Sequence, residues 1–125
     1  MDEFKTAIDL TAMERYEYFI DNILVTGEVW GLYEKGWVMA MDDDNTECMP
    51  FWPGKDFAEY CAVDEWEGAE PKMIQLEEFI NKWMPLLEKD HVKPSIFPNN
   101  VDSAIMAPAD VLNDIEEVDE DDADN

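Results

Sequence analysis

At 125 residues, with 46% hydrophobic and 12% aromatic content, the chain has enough apolar material for one folded domain. Its 32 acidic and 8 basic residues give a formal net charge of −24. Because a surface of this sign repels nucleic-acid phosphates and anionic lipid headgroups, we expect no direct binding of nucleic acid or membrane.

The acidic excess is not confined to one end. Residues 114–125 carry eight acidic residues and no basic one, and without them a charge of −16 remains on residues 1–113. Such a charge keeps a protein soluble, and it also complements the surface of a basic protein.

Two features bear on the cellular compartment. No apolar run approaches the ~20 residues of a membrane span, and the first residues, MDEFKTAIDL, lack the basic start and apolar centre of a signal peptide. Cys48 and Cys61 lack CxxC spacing and lie among apolar residues, which favours reduced core thiols over a disulfide. We therefore expect a cytoplasmic protein.

The first clear helix is predicted to begin after Thr11, which forms a capping box with Glu14. Gly27 is placed to end this helix in a left-handed conformation. Upstream, Phe4 and Ile8 extend the helical pattern only weakly. The apolar face, at helical spacing, consists of Met13, Tyr16, Ile20, Ile23 and Leu24.

Three short strands are predicted to form the sheet core. Residues 29–33 and 37–41 are joined by Glu34-Lys35-Gly36, a loop typical of a type I turn closed by a glycine bulge with Gly36 left-handed. A second turn at residues 42–45 leads to a third strand over residues 48–51.

A short second helix is predicted after the third strand, followed by a loop over residues 64–71. Trp66 stands among charges in this loop, and we expect it to pack back onto the domain while staying the most accessible tryptophan. Trp30, Trp37 and Trp83 lie in strong strand or helix patterns and are expected to be largely buried.

Prolines shape the second half of the chain. Pro85 is expected to kink a third helix, preceded by a strand over residues 72–76, because proline lacks an amide proton. Pro94 and Pro98 restrict residues 92–97 to an edge strand or an irregular extended segment. The residues that follow are predicted to complete a second antiparallel hairpin.

Pro108 suits the first position of a final helix with an apolar stripe that ends at Val118. Beyond it the acidic run has no countercharge. The sequence therefore predicts one α+β domain over residues 1–118, with a mainly antiparallel sheet of about five or six short strands and three or four helices. Residues 119–125 are predicted to be a disordered acidic tail.

Several segments together resemble one family. They are RYEYF at residues 15–19, GEVWGL at residues 27–32, Gly36-Trp37, PFWP at residues 50–53 and Phe57-Ala58. In this combination the chain resembles the bacterial family catalogued as domain of unknown function 2750, over roughly residues 12–117. The family has no established activity, so the resemblance implies a fold and a bacterial origin and no mechanism.

No catalytic set emerges from the sequence, so the catalytic residues are unknown. His91 is the single histidine, and neither Ser95 nor Ser103 lies in a GxSxG elbow. A pairing of His91 with Cys48 or Cys61 rests on residue types alone, and core thiols with a surface imidazole are the simpler interpretation.

We expect no metal and no cofactor. One histidine and two separated cysteines do not give a zinc spacing. Asp42, Asp44 and Glu47 could present oxygens to calcium, but an EF-hand needs glycine where Glu47 stands and a bidentate acid where Pro53 stands. No GxGxxG or Walker pattern is present.

Two functions remain open. The favoured one is a non-catalytic interaction module, similar to an inhibitor or immunity protein, that binds a basic protein. Its candidate contact residues are Asp42, Asp43, Asp44, Asp64, Glu65, Trp66, Glu67 and Glu70. The alternative is a small-ligand-binding protein or enzyme that uses carboxylates and an aromatic set, which also fits core packing. That set is Trp30, Tyr33, Trp37, Phe51 and Trp52.

Overall fold

The computed structural model describes residues 3–41, 44–99 and 101–123 of the chain. Over these residues the helices are α1 (Glu3–Ile8), α2 (Ala12–Thr26), α3 (Lys55–Cys61), α4 (Leu76–Glu78), α5 (Met84–Lys89) and α6 (Pro108–Ala123). The strands are β1 (Glu28–Tyr33), β2 (Ala40–Met41), β3 (Glu47–Phe51), β4 (Glu70–Gln75), β5 (Lys93–Ile96) and β6 (Ala104–Ile105). A 3-10 turn spans Asp64–Trp66, and a π-helical turn, Phe79–Trp83, joins α4 to α5.

The strands form two sheets. β1 and β4 make an antiparallel ribbon, and the second sheet has the order β2-β3-β5-β6, in which only β3 and β5 are parallel neighbours among the described strands. Trp30 and Trp52 join the sheets, because the amide of each donates to the carbonyl of the other, at 2.9 and 2.7 Å. The fold is therefore α+β with mainly antiparallel strands, as predicted.

The first predicted hairpin is wrong beyond its turn. Tyr33 and Trp37 form a single bridge, and the amide of Glu34 donates to the carbonyl of Gly36 at 2.9 Å. Lys35, with a φ of 62°, takes the left-handed conformation that was expected at Gly36.

β4 is the ladder partner of β1. The two strands pair over all six residues of each. The ring of Trp37 lies against Gly31 of β1, where a Cβ atom would come within 2.9 Å of the ring. The chain after the turn therefore packs over β1, and its next regular strand, β2, pairs with β3.

β5 is an interior strand, so the prediction of an edge strand at residues 92–97 is wrong. It lies between β3 and β6, with Met49 opposite Pro94. Pro94 lacks a donor, but its carbonyl accepts from the amide of Met106 at 3.2 Å. The Phe97 amide then donates to the carbonyl of Phe51 at 2.7 Å. Four residues of regular strand are short enough to tolerate one missing donor.

The ends of α2 form as predicted. The Thr11 hydroxyl accepts from the Glu14 amide at 3.2 Å, and the Glu14 carboxylate accepts from the Thr11 amide at 3.1 Å. These bonds lower the pKa of the Glu14 carboxyl, the backbone bond most. Gly27 caps the other end with a φ of 74°. Met13, by contrast, is 57% exposed and lies outside the core.

Pro85 is accommodated by a widened helical turn. The Met84 amide donates to the carbonyl of Phe79, five residues back, within the π-helical turn. This shift in hydrogen-bond register absorbs the missing amide of Pro85, so α4, the π-turn and α5 follow one another directly. None of the described helices is long and apolar enough to cross a membrane.

The tryptophans differ from one another in burial. Trp52 is fully buried, whereas Trp30, Trp37 and Trp83 are only half-buried. The rings of Trp37 and Trp83 stand edge to face with centroids 5.1 Å apart. They pack on one another beside the two-stranded ribbon, where Trp37 also lies against Gly31. All three rings are therefore partly buried against the core, which agrees with the prediction that they are largely buried.

The apolar stripe of α6 forms as predicted, with Val111 and Ile115 buried and Val118 half-buried. The helix continues to Ala123, five residues past its expected end at Val118. The added residues bring four acids in succession and no apolar anchor besides alanine. That residues 119–125 are dispensable for folding stays a prediction.

Deleting residues 119–125 is expected to shift the melting temperature by less than about 2 °C, because the segment adds charge repulsion and little apolar burial. Differential scanning calorimetry of the full and shortened chains at matched salt measures this. A loss of several degrees on deletion would show instead that the segment stabilises the domain.

Candidate functional site

An open cleft of about 570 Å³ lies against the four-stranded sheet. All four strands of that sheet contribute to its lining. The loop between β5 and β6 and the 3-10 turn between α3 and β4 contribute as well. The residues that matter for its chemistry are Met41, Asp44, Trp66, Ser95, Asp102, Ser103 and Ile105. Among the described residues that line it, none is basic.

The cleft brings together residues from both acidic patches that the sequence singled out. Asp44 comes from the turn before β3, and Trp66 from the turn before β4. Of the other candidates, Glu65, Glu67 and Glu70 are exposed and do not line the cleft. Asp42 and Asp43 lie outside the described residues, as does the side chain of Asp64.

Trp66 packs back onto the domain, as predicted, and still borders the cleft. Its ring stands edge to face with that of the buried Trp52, with centroids 6.0 Å apart and planes at 85°. The turn is held by the Trp66 amide, which donates to the Val63 carbonyl, and by the Ala69 amide, which donates to the Trp66 carbonyl, both at 3.0 Å. The half-buried ring is therefore held in place by a core contact and by the hydrogen bonds of its own turn.

Arg15 supports the loop between β5 and β6 that carries Asp102, and sequence reasoning missed it. Its side chain is 1% exposed, and Nε donates to the carbonyl of Phe97 at 2.9 Å. Nη1 donates to the carbonyl of Leu10 at 2.6 Å, and Nη2 donates to both the carbonyl and the carboxylate of Asp102. The sequence held one signal: Arg15 is the single arginine of a strongly acidic chain.

Arg15 thereby positions the carboxylate of Asp102 at the cleft. The Asp102 side chain stays 55% exposed, so it also faces solvent. Asn99 fixes the same loop, because its Oδ1 accepts from the amides of Val101 and Asp102 at 2.8 and 3.0 Å. Its Nδ2 donates to the carbonyl of Ile8 at 2.9 Å. The loop between β5 and β6 is thus hydrogen-bonded to both α1 and α2.

A pair of hydroxyls lies within the cleft lining. Ser95 Oγ and Ser103 Oγ are 2.7 Å apart, so one donates to the other. Two hydroxyls carry two protons, and the bond between them uses one. The second O–H is left to bond solvent or a ligand. Ser95 is 94% buried, since its exposed fraction is 6%, and Ser103 is half-buried.

Both cysteines are buried thiols, as predicted. Burial raises the pKa of the Cys61 thiol to about 11, so it stays protonated at neutral pH and donates to the carbonyl of Pro98 at 3.2 Å. Cys48 Sγ donates to the carbonyl of Thr46 at 3.5 Å, and His91 is exposed. A protonated, buried thiol is a poor nucleophile.

The aromatic set of the alternative function divides into two groups. Phe51 and Trp52 are fully buried in the core. Trp30, Tyr33 and Trp37 are half-buried in or beside the ribbon, and Lys72 Nζ lies 4.2 Å from the ring centroid of Tyr33 and 5.4 Å from that of Trp37. These contacts are packing and cation–π interactions within the protein. Over the part of the chain that the structure describes, no group of three or more potential ligands is arranged to hold a metal ion.

The cleft lining thus presents carboxylates, hydroxyls and an indole ring, an arrangement suited to binding a cationic group. No curated protein matches this chain. A family model described as "Protein of unknown function (DUF2750)" matches residues 16–115, which include every described residue that lines the cleft. Since this match spans most of the sequence, the chain belongs to the DUF2750 family.

Proposed function

We propose that this protein is a non-catalytic interaction module that binds a basic protein through the cleft bordered by Asp44, Trp66 and Asp102, as an inhibitor or immunity protein would. One observation carries the proposal: Asp44 from one acidic patch and Trp66 from the other line the same cleft. Trp66 supplies the aromatic anchor that a binding hot spot needs in addition to charge.

The chemistry of the cleft favours a lysine or arginine side chain as the inserted group. A cation over an indole face gains about 0.5–1 kcal/mol at an exposed site. Asp44 and Asp102 add carboxylate acceptors, and the serine pair adds a hydroxyl. Met41 and Ile105, 62% and 38% exposed, can cover the aliphatic stem of such a side chain.

The charge of the whole molecule supports the same partner. With a net charge of −24, the protein attracts cationic partners over long range and speeds their association. Its two buried thiols fit a reducing compartment, and we place the interaction in the bacterial cytoplasm.

Immobilised protein lacking residues 119–125 is expected to retain a discrete basic protein from a lysate of the source cells at ~0.5 M salt, where unspecific charge pairing is screened within a few ångströms. The captured basic protein is then purified, and its affinity for the Trp66→Ala and Asp44→Asn variants is measured by isothermal titration calorimetry. Each variant should bind it at least tenfold more weakly than the unchanged protein does. The loss reflects a removed aromatic anchor in one variant and a removed carboxylate in the other.

The matched controls are Tyr60→Ala and Asp56→Asn, an exposed aromatic and an exposed acid on α3 that do not line the cleft. Both should bind as the unchanged protein does. If all captured proteins are lost at high salt, or if Trp66→Ala and Tyr60→Ala behave alike, the cleft is not the contact and the proposal fails.

A further inference from the structure

A second groove, of about 400 Å³, lies between α2 and α6. Its floor is apolar: Tyr16 and Ile20 are 4% and 2% exposed, and Val118 is half-buried. Met13 borders the groove with 57% of its surface exposed. An exposed methionine beside an apolar floor is an adaptable contact for an incoming apolar side chain.

The rims of this groove are acidic. Glu17 and Asp21 lie four residues apart on α2, on the same face as Met13, and Asp114 faces them from α6. None of the described residues lining the groove is basic. An apolar floor between two acidic rims complements an apolar helix face flanked by cations.

The groove is formed before any partner binds. The Tyr16 hydroxyl donates to Asp114 Oδ2 and so ties α6 to α2. Burial raises the pKa of the Tyr16 hydroxyl, and the bond to Asp114 raises it further, so Tyr16 remains a donor at any physiological pH. A preformed groove loses little conformational entropy on binding.

The sequence of α6 adds an independent reason to expect a cationic occupant. The helix carries eight acidic residues and no basic one, and most of the acids lie in its second half. Negative charges at the C-terminal end of a helix oppose its dipole, and like charges three or four residues apart repel. A cation bound beside Asp114, the one acidic residue of α6 among the described lining residues, reduces this repulsion.

We propose that the α2–α6 groove binds a cationic amphipathic helix from a partner protein, with apolar residues against Met13, Ile20 and Val118 and with lysines or arginines on the two acidic rims. A second copy of this chain does not fit, because its own acidic helices would meet those rims with like charge. The inference is independent of the cleft, with which the groove shares no described lining residue.

The test is a fluorescence anisotropy titration of the full chain with a labelled 18-residue leucine–lysine peptide whose leucines lie on one helical face. A second peptide of the same composition distributes its leucines around the helix. At 0.15 M salt the amphipathic peptide should bind at least tenfold more tightly. Met13→Asp should weaken this binding at least tenfold although it adds negative charge, because it removes the apolar contact.

Val25→Asp is the matched control, since Val25 is 84% exposed on α2 and does not line the groove. It should leave the affinity unchanged. Equal affinity for the two peptides, or equal loss in Met13→Asp and Val25→Asp, would overturn the proposal. If Met13→Asp does not fold, the NMR methyl resonance of Met13 in the unchanged protein is followed while the amphipathic peptide is added. A resonance that does not shift would overturn the proposal.

Discussion

Replacing Arg15 with alanine should destabilise the domain by about 3–5 kcal/mol, because it removes a fully buried side chain and takes its donor away from the buried carbonyl of Phe97. The guanidinium reaches three segments at once, through the carbonyls of Leu10, Phe97 and Asp102. Urea unfolding followed by circular dichroism measures the change as a lower midpoint at an unchanged slope.

Two further variants separate the geometry of Arg15 from its charge. Arg15→Lys keeps the charge but loses the planar fork that bonds several acceptors, so it should still cost more than about 1 kcal/mol. Glu17→Ala, an exposed change on the same helix, should stay within about 0.5 kcal/mol. An Arg15→Ala loss below about 1 kcal/mol would show that solvent replaces these bonds and that Arg15 does not support the cleft.

Trp52→Ala is expected to cost about 3–5 kcal/mol, since it leaves a cavity where a fully buried ring now packs. That ring also supports Trp66, and its Nε1 donates to the carbonyl of Pro98 at 2.9 Å. Thermal and urea unfolding of the variant provide the measurement. The loss should exceed that of Trp30→Ala, because Trp30 is only half-buried.

Trp52→Phe isolates the contribution of the indole N–H. The Pro98 carbonyl also accepts from Cys61 Sγ, so it keeps one partner when the indole is removed. We therefore expect a cost well below that of alanine, about 1–2 kcal/mol for the smaller ring and the lost bond. If Trp52→Phe were as damaging as Trp52→Ala, the bond to Pro98 rather than packing would hold this region.

Local signals predicted the ends of elements well. The Thr11–Glu14 capping box, the left-handed Gly27 and Pro108 at the start of α6 are all present in the structure. Each depends on residues within one or two turns of chain, so the sequence window contains all the interacting groups. The same holds for the hairpin of β5 and β6.

The sequence analysis did not predict which distant strands pair with one another. The loop Glu34-Lys35-Gly36 has hairpin spacing, yet β1 pairs with β4, some forty residues further along the chain. Pro94 is typical of an edge strand, yet β5 lies between two neighbours. In each case the backbone partner is chosen by packing across the whole domain, which outweighs a local turn preference.

For the site, the sequence by itself offered eight candidates in two acidic clusters, one of them around Trp66, and Asp44 and Trp66 are two of these eight. Only the tertiary structure decided that these two residues share a cleft, that Asp102 also lines it and that Arg15 bonds the Asp102 carboxylate. Composition and capping are properties of neighbouring residues. A buried arginine that ties α2 to a loop more than eighty residues away is specified by the packed fold, where loss of solvent makes each of its donors find an acceptor.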